Sequence, residues 1–125
     1  MAKLFLITAA LYGLLGVVLG AFGAHALRAQ LTSDLLRAWQ TGVEYQFYHA
    51  FALLAVGLLA STGIAANSWT TAAGGLFVLG VLLFSGSLYG LALGGPRLLG
   101  PVTPFGGLLL IAAWSCLLVA MLRIP

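Results

Sequence analysis

The chain predicts an all-α integral membrane protein: an antiparallel four-helix transmembrane bundle with a short interfacial segment before helix 2. Three observations carry this. Of 125 residues, 62% are hydrophobic and 6% charged, where a soluble domain carries about 25% charged. The apolar residues fall into four runs of the length that crosses a hydrocarbon core of about 30 Å. The turns between these runs are too short for anything but antiparallel neighbours. Residues 1–125 therefore form a single transmembrane domain, with spans at about 4–24, 42–61, 71–93 and 104–122.

The first span follows Lys3 and runs from Leu4 to Ala24. Ala24-His25-Ala26 fits the small-x-small pattern of signal cleavage, but an apolar core of about 20 residues is long for a signal, so the span is expected to be retained. The second helix is expected to start at Thr32 or Ser33, both capping residues, with Asp34 favourable in the first turn. Unbroken to Ser61 it would be about 42 Å long, more than the hydrocarbon needs. Residues 34–41 then either project into the interface or form a separate interfacial turn, with Gly42 as the expected bend. Leu35, Leu36 and Trp39 would face lipid, Trp39 in the interfacial aromatic belt; Asp34, Arg37 and Gln40 would face water. Ser61-Thr62-Gly63 and Asn67-Ser68 mark an uncharged loop. Gly94-Gly95-Pro96-Arg97 ends the third span, since glycine permits a left-handed cap and proline cannot continue the helix. Pro104 suits the first turn of the fourth, which Arg123 closes.

The five cations Lys3, Arg28, Arg37, Arg97 and Arg123 are scattered. They form no basic face, which excludes nucleic acid as a partner, and they suit anchoring beside the headgroups of membrane lipids. Three lie on the His25/Arg97 side and two on the terminal side, too small a bias to orient the protein. Cys116 is alone in an apolar run and reads as a packing residue.

The costliest stretch is Gln40-Thr41-Gly42-Val43-Glu44-Tyr45-Gln46-Phe47-Tyr48-His49, set against the apolar run Ala50–Ala60. At 100° per residue Gln40, Thr41, Glu44, Tyr45, Tyr48 and His49 share half the helix circumference, a face expected to look into the bundle because polar groups exposed to lipid are expensive. Antiparallel topology brings the first and third loops to one side of the membrane. The expected polar cluster at that end comprises His25, Arg28, Glu44, Tyr45, His49, Ser85, Ser87, Tyr89, Arg97 and Thr103. Gly13, Gly16, Gly20 and Gly23 on span one, and Gly86, Gly90 and Gly94 at the end of span three, are expected to be packing seams, since small residues let helix backbones approach closely in lipid. Such seams serve helices of one chain, a homo-oligomer or another membrane partner equally well.

Two functions fit the cluster. In the first it is a structural ion-pair network, with Glu44 pairing Arg28 or Arg97, in a protein with a structural or assembly role. In the second it is a binding or transport site for a lipid headgroup, small polar solute or proton, centred on Glu44 and His49. Metal and cofactor readings are poor: His25, Glu44 and His49 lack the spacing of a zinc site. Catalysis is poorly supported too. Ser85 or Ser87 beside His49 would need an orienting carboxylate, and Phe84-Ser85-Gly86-Ser87 is not a nucleophile elbow.

Four segments in order carry a family resemblance: Gly20-Ala21-Phe22-Gly23-Ala24-His25, Thr41-Gly42-Val43-Glu44-Tyr45-Gln46 with His49, Leu83-Phe84-Ser85-Gly86-Ser87-Leu88-Tyr89, and Thr103-Pro104-Phe105-Gly106-Gly107. Their order and spacing resemble the domain-of-unknown-function family 423, also described as the transmembrane protein 256 family. The resemblance covers nearly the whole chain. It implies a small four-span protein, in bacteria of the inner membrane, and no established activity.

Overall fold

The computed structural model describes all residues, Met1–Pro125. Four helices account for most of the chain: α1 (Ala2–Phe22), extended by a π-helical turn over Gly23–Leu27, α2 (Ser33–Thr62), α3 (Ser68–Ala92) and α4 (Leu99–Leu122). Each is long and apolar enough to cross a membrane.

The helix ends follow local chemistry. Thr32 caps α2, its hydroxyl accepting from Leu35 N at 3.3 Å. Gly63, at φ 78°, ends that helix in the left-handed conformation. Asn67 caps α3 with its carboxamide oxygen, 3.0 Å from Trp69 N and 3.1 Å from Thr70 N. Asn67→Ala is therefore expected to cost about 1 kcal/mol, read as a lower midpoint in detergent unfolding. Gly94 turns the chain at φ 84° after α3.

One open alternative is decided and two helix starts are corrected. First, α2 is continuous from Ser33 to Thr62, about 45 Å long. The interfacial segment is thus its projecting first turns, and Gly42 does not bend it. Second, α3 starts at Ser68 because Asn67 supplies the cap. Third, α4 starts at Leu99, five residues before Pro104. The turns Leu99 N→Pro96 O and Gly100 N→Arg97 O begin winding the chain there, and Pro104 is accommodated inside the helix.

The packed pairs are α1–α2, α2–α3 and α3–α4, with a lighter α1–α3 contact. On α2, Val43 and Phe47 meet α1 glycines, whereas Tyr45 and His49 turn toward α4. These faces set α1 and α4 on opposite flanks of the central α2–α3 pair. One core, including Phe5, Tyr12, Leu53, Val56, Phe77 and Leu110, runs through the layer. A smaller cluster of Leu27, Trp39 and Ala92 closes the end beside the first and third loops.

Glycines make the close approaches, but not all those expected to. Gly16 lies under the Phe47 ring and Gly23 under the Trp39 indole, while Gly20 faces Val43 more loosely. Gly90 is filled by Leu99. Nothing comes within 4 Å of a Cβ built at Gly13, Gly86 or Gly94. The spacing expected to form a seam on α3 instead follows a face that only Gly90 uses, and Gly94 serves the turn. Close approaches that the spacing did not mark are Gly74 under Phe5, Gly57 under Leu6, Gly80 under Leu110, Gly42 under Tyr89, and Gly106, which lies against the Phe84 backbone.

Candidate functional site

The inward stripe of α2 is Trp39, Gly42, Gln46, His49, Leu53 and Val56, all buried. Successive steps of three or four residues keep these on one face. Glu44 lies two residues from Gly42, a rotation of about 200°, and so points away. The expected inward face of Gln40, Thr41, Glu44, Tyr45, Tyr48 and His49 is corrected accordingly. Of these only His49 is buried; Thr41 is half-buried, and Gln40, Glu44, Tyr45 and Tyr48 are exposed. The price of polar exposure to lipid is limited by depth. Glu44 lies about 27 Å along the helix from Thr62, near the edge of a core about 30 Å thick, where its carboxylate reaches water.

Trp39 is the converse correction. Expected at the lipid interface, it is 2% exposed. Its indole N–H donates to Leu19 O at 2.9 Å, and its ring packs on Tyr89 with centroids 4.7 Å apart. The Leu19 carbonyl gains this extra donor just before α1 widens into its π turn, the kind of side-chain intrusion that distorts a helical ladder.

Apart from Thr70, which donates to Ala65 O at the opposite end of the bundle, the buried polar residues and their partners fall into two sets. The first ties α1, α2 and α3 together around Gln46. Gln46 Nε2 donates to Tyr12 O at 2.7 Å, and Tyr89 Oη donates to Gln46 Oε1 at 2.7 Å. Tyr12 Oη donates to Val78 O at 2.7 Å, and Ser85 Oγ to Gly42 O at 2.7 Å. Between α3 and α4, Ser87 Oγ and Thr103 Oγ1 share a hydrogen bond of 2.5 Å. Every buried side-chain polar atom has a partner within the chain.

The second set is on the α2–α4 flank. Trp114 Nε1–H donates to His49 Nε2 at 3.2 Å. That nitrogen must then carry a lone pair, so the proton of a neutral imidazole is on Nδ1, which donates to Tyr45 O at 2.6 Å. The ring packs on Phe77 (centroids 5.6 Å) and Tyr45 (5.9 Å). Beside it is a groove of about 540 Å³ between α2 and α4, lined among others by Tyr45, His49, Phe84, Gly107, Ile111 and Trp114. Tyr45, Leu108, Ile111 and Trp114 are exposed along it, so it opens sideways toward lipid.

The expected cluster is thus divided. Ser85 and Tyr89 join the Gln46 network, Ser87 and Thr103 join each other, and Tyr45 and His49 line the groove. His25, Arg28, Glu44 and Arg97 are exposed and take no part in these contacts, so the expected Glu44 ion pair with Arg28 or Arg97 is not formed. Glu44 instead borders a separate crevice of about 420 Å³ between the end of α1 and the start of α2, with Gly20, Gly23, Ala24, Trp39 and Val43.

Sequence reasoning left out Gln46, Tyr12 and Trp114. The signal for Gln46 was available: it continues the stripe of Gly42, Leu53 and Val56. Trp114 sits in an unbroken apolar run, and nothing local marks it as the partner of His49.

Residues 19–107 match the family model described as "Protein of unknown function (DUF423)". The chain belongs to this family. Relatives are similar over nearly their whole lengths. A UPF0382 membrane protein of Staphylococcus haemolyticus is 44% identical over 121 residues, 97% of each chain. The UPF0382 membrane protein YwdK of Bacillus subtilis is 44% identical, covering 97% of this chain and 98% of its own. A UPF0382 membrane protein of Schizosaccharomyces pombe is 42% identical over 117 residues, 89% of this chain and 95% of its own. No solved structure matches. With four spanning helices and relatives named as membrane proteins, this DUF423 member is an integral membrane protein. Its family carries no assigned activity.

Proposed function

We propose that this DUF423 protein is a non-catalytic binding protein of the bilayer, holding a lipophilic molecule in the groove between α2 and α4. The observation that carries this reading is the position of the His49–Trp114 pair. It is a hydrogen-bonding pair in the wall of a groove of about 540 Å³, a volume within the usual range of ligand pockets. The opening faces hydrocarbon, so the occupant arrives from the membrane. The Gln46 network supports a different role, holding three helices in register. It explains most of the polar residues in the bundle, but not a groove along α4. Glu44 has no part in the proposed site.

The test is photolabelling of the protein in lipid nanodiscs with a diazirine-bearing palmitic acid. Saturable labelling is expected on Tyr45, Phe84 and Ile111. Gly107→Leu should reduce it about tenfold, because a Cβ at Gly107 already stands 3.7 Å from the Phe84 ring and the longer side chain fills the groove. Uniform, unsaturable labelling of all exposed helix faces would overturn the reading. So would cross-links between two copies through this flank, which would make the groove a homo-oligomer interface.

A further inference from the structure

We infer that the ligand class of the α2–α4 groove is a lipid-soluble ring bearing carbonyl or hydroxyl groups, of which a quinone with a hydrocarbon tail is the simplest representative. The inference rests on the binding role proposed above and narrows it by depth, by wall chemistry and by hydrogen-bonding capacity.

Depth comes first. Trp114 lies about 22 Å along α4 from Leu99 and about 12 Å from Leu122. Both distances put its indole inside a hydrocarbon core about 30 Å thick. The ester carbonyls and headgroup of a diacyl lipid stay in the interfacial layer, so they do not reach this level while the lipid keeps its place in the leaflet. A plain acyl chain reaches it but offers nothing to hydrogen-bond. A molecule that engages the pair must carry its polar atoms into the hydrocarbon, on a body apolar enough to be there.

The walls ask for a flat body. Tyr45 and Phe84 lie with ring centroids 4.6 Å apart and planes inclined by 33°, and they form one aromatic side of the groove. Trp114 stands edge-on to Phe77 at 5.2 Å and to His49 at 6.2 Å, and closes its deeper end. Pro104, Leu108 and Ile111 supply the aliphatic remainder, which suits a tail leaving toward the lipid. Aromatic faces of this kind favour offset or edge contacts with another ring.

The polar atoms fit both states of such a ring. The Trp114 N–H is a donor and can be offered to a carbonyl oxygen. In the tautomer fixed by the Tyr45 carbonyl, His49 Nε2 is an acceptor and can take a ring hydroxyl. The Tyr45 phenol, whose ring centroid lies 5.9 Å from that of His49, can do either. At 3.2 Å the Trp114–His49 bond is the longest interhelical side-chain bond of the bundle. It is thus the one most readily exchanged for a bond to a ligand, and its two halves are released together.

The experiment is competition against the diazirine palmitate in nanodiscs, using decyl-ubiquinone and decylbenzene, which has the same tail and a ring without oxygens. Decyl-ubiquinone is expected to displace the probe at concentrations about tenfold lower than decylbenzene does. Trp114→Phe keeps the ring but loses the donor; it should bring the two competing concentrations together. If both compounds compete equally in the wild type, or if Trp114→Phe leaves the preference unchanged, the ligand class is wrong, although the groove still binds lipophiles. If the palmitate never labels the groove saturably, the binding role itself fails. Gly13→Leu, on the opposite flank where a Cβ meets nothing, should change neither measurement.

Discussion

Gly106→Ala is expected to destabilise the protein by about 1–2 kcal/mol, and Gly106→Leu to prevent α4 from docking. A Cβ built at Gly106 runs into the Phe84 backbone nitrogen and Cα and the Leu83 carbonyl carbon. A clash with a flexible side-chain tip can be relieved by a rotamer change, but here the obstacle is main chain on the facing helix. The two helices would have to separate. Overpacking of a fitted interior costs about 1–3 kcal/mol, and alanine recovers up to about 1 kcal/mol of helix propensity over glycine. The net effect stays large because the α3–α4 contact is the most extensive in the molecule and includes Gly80 under Leu110 and Ser87 on Thr103. Gly107→Ala is the matched control. Its Cβ would meet only the Phe84 ring at 3.7 Å, an ordinary contact, so it should be neutral or slightly stabilising. Reversible unfolding in mixed detergent micelles reads both variants. Equal behaviour of the two alanine variants would mean that α3 and α4 do not cross at Gly106.

The second large effect concerns the polar run of α2. Gln46→Leu should cost about 1–3 kcal/mol, and Glu44→Gln less than about 0.5 kcal/mol. Gln46 bridges Tyr12 O on α1 and Tyr89 Oη on α3, and its loss leaves the half-buried Tyr89 phenol without an acceptor. Hydrogen bonds between membrane helices average about 0.6 kcal/mol, with a maximum near 1.7. Two lost bonds and a stranded hydroxyl therefore set the range. Tyr89→Phe in the Gln46→Leu background should recover part of the loss, because the stranded donor is removed along with its partner. A double-mutant cycle on the same unfolding assay gives the coupling directly. A larger effect at Glu44 than at Gln46 would mean that α2 is rotated from the orientation described.

The fold was legible because its causes are local and repeated. Apolar length gives the spans, Thr32 gives the start of α2, and Gly63 and Gly94 mark the turns; Asn67 reads only as loop, and its cap starts α3 three residues before the expected span. The orientation of α2 was much harder to read. Polarity alone argued for turning Glu44 inward, since carboxylates avoid lipid. Depth decides otherwise: near the core boundary Glu44 can reach water, whereas Gln46 and His49, further in, must find partners. Trp39 misled for a related reason. Its type suggested the interface, but Gly23 opposite leaves space for an indole, and Leu19 O offers an acceptor. Glycine spacing likewise separates Gly16 and Gly90, which meet a neighbour, from Gly13 and Gly86, which do not, only once the facing helix is known. The His49–Trp114 contact joins residues 65 apart and has no sequence signature.

The arrangement of the α2–α4 flank is tested most directly by nitrogen-15 NMR of the histidine and tryptophan side chains in lipid bilayers, with His25→Gln to leave one imidazole. The structure predicts a neutral His49 protonated at Nδ1, with its Nε2 in through-space contact with the Trp114 indole N–H. An Nε2-protonated ring, or no contact between the two side chains, would contradict it.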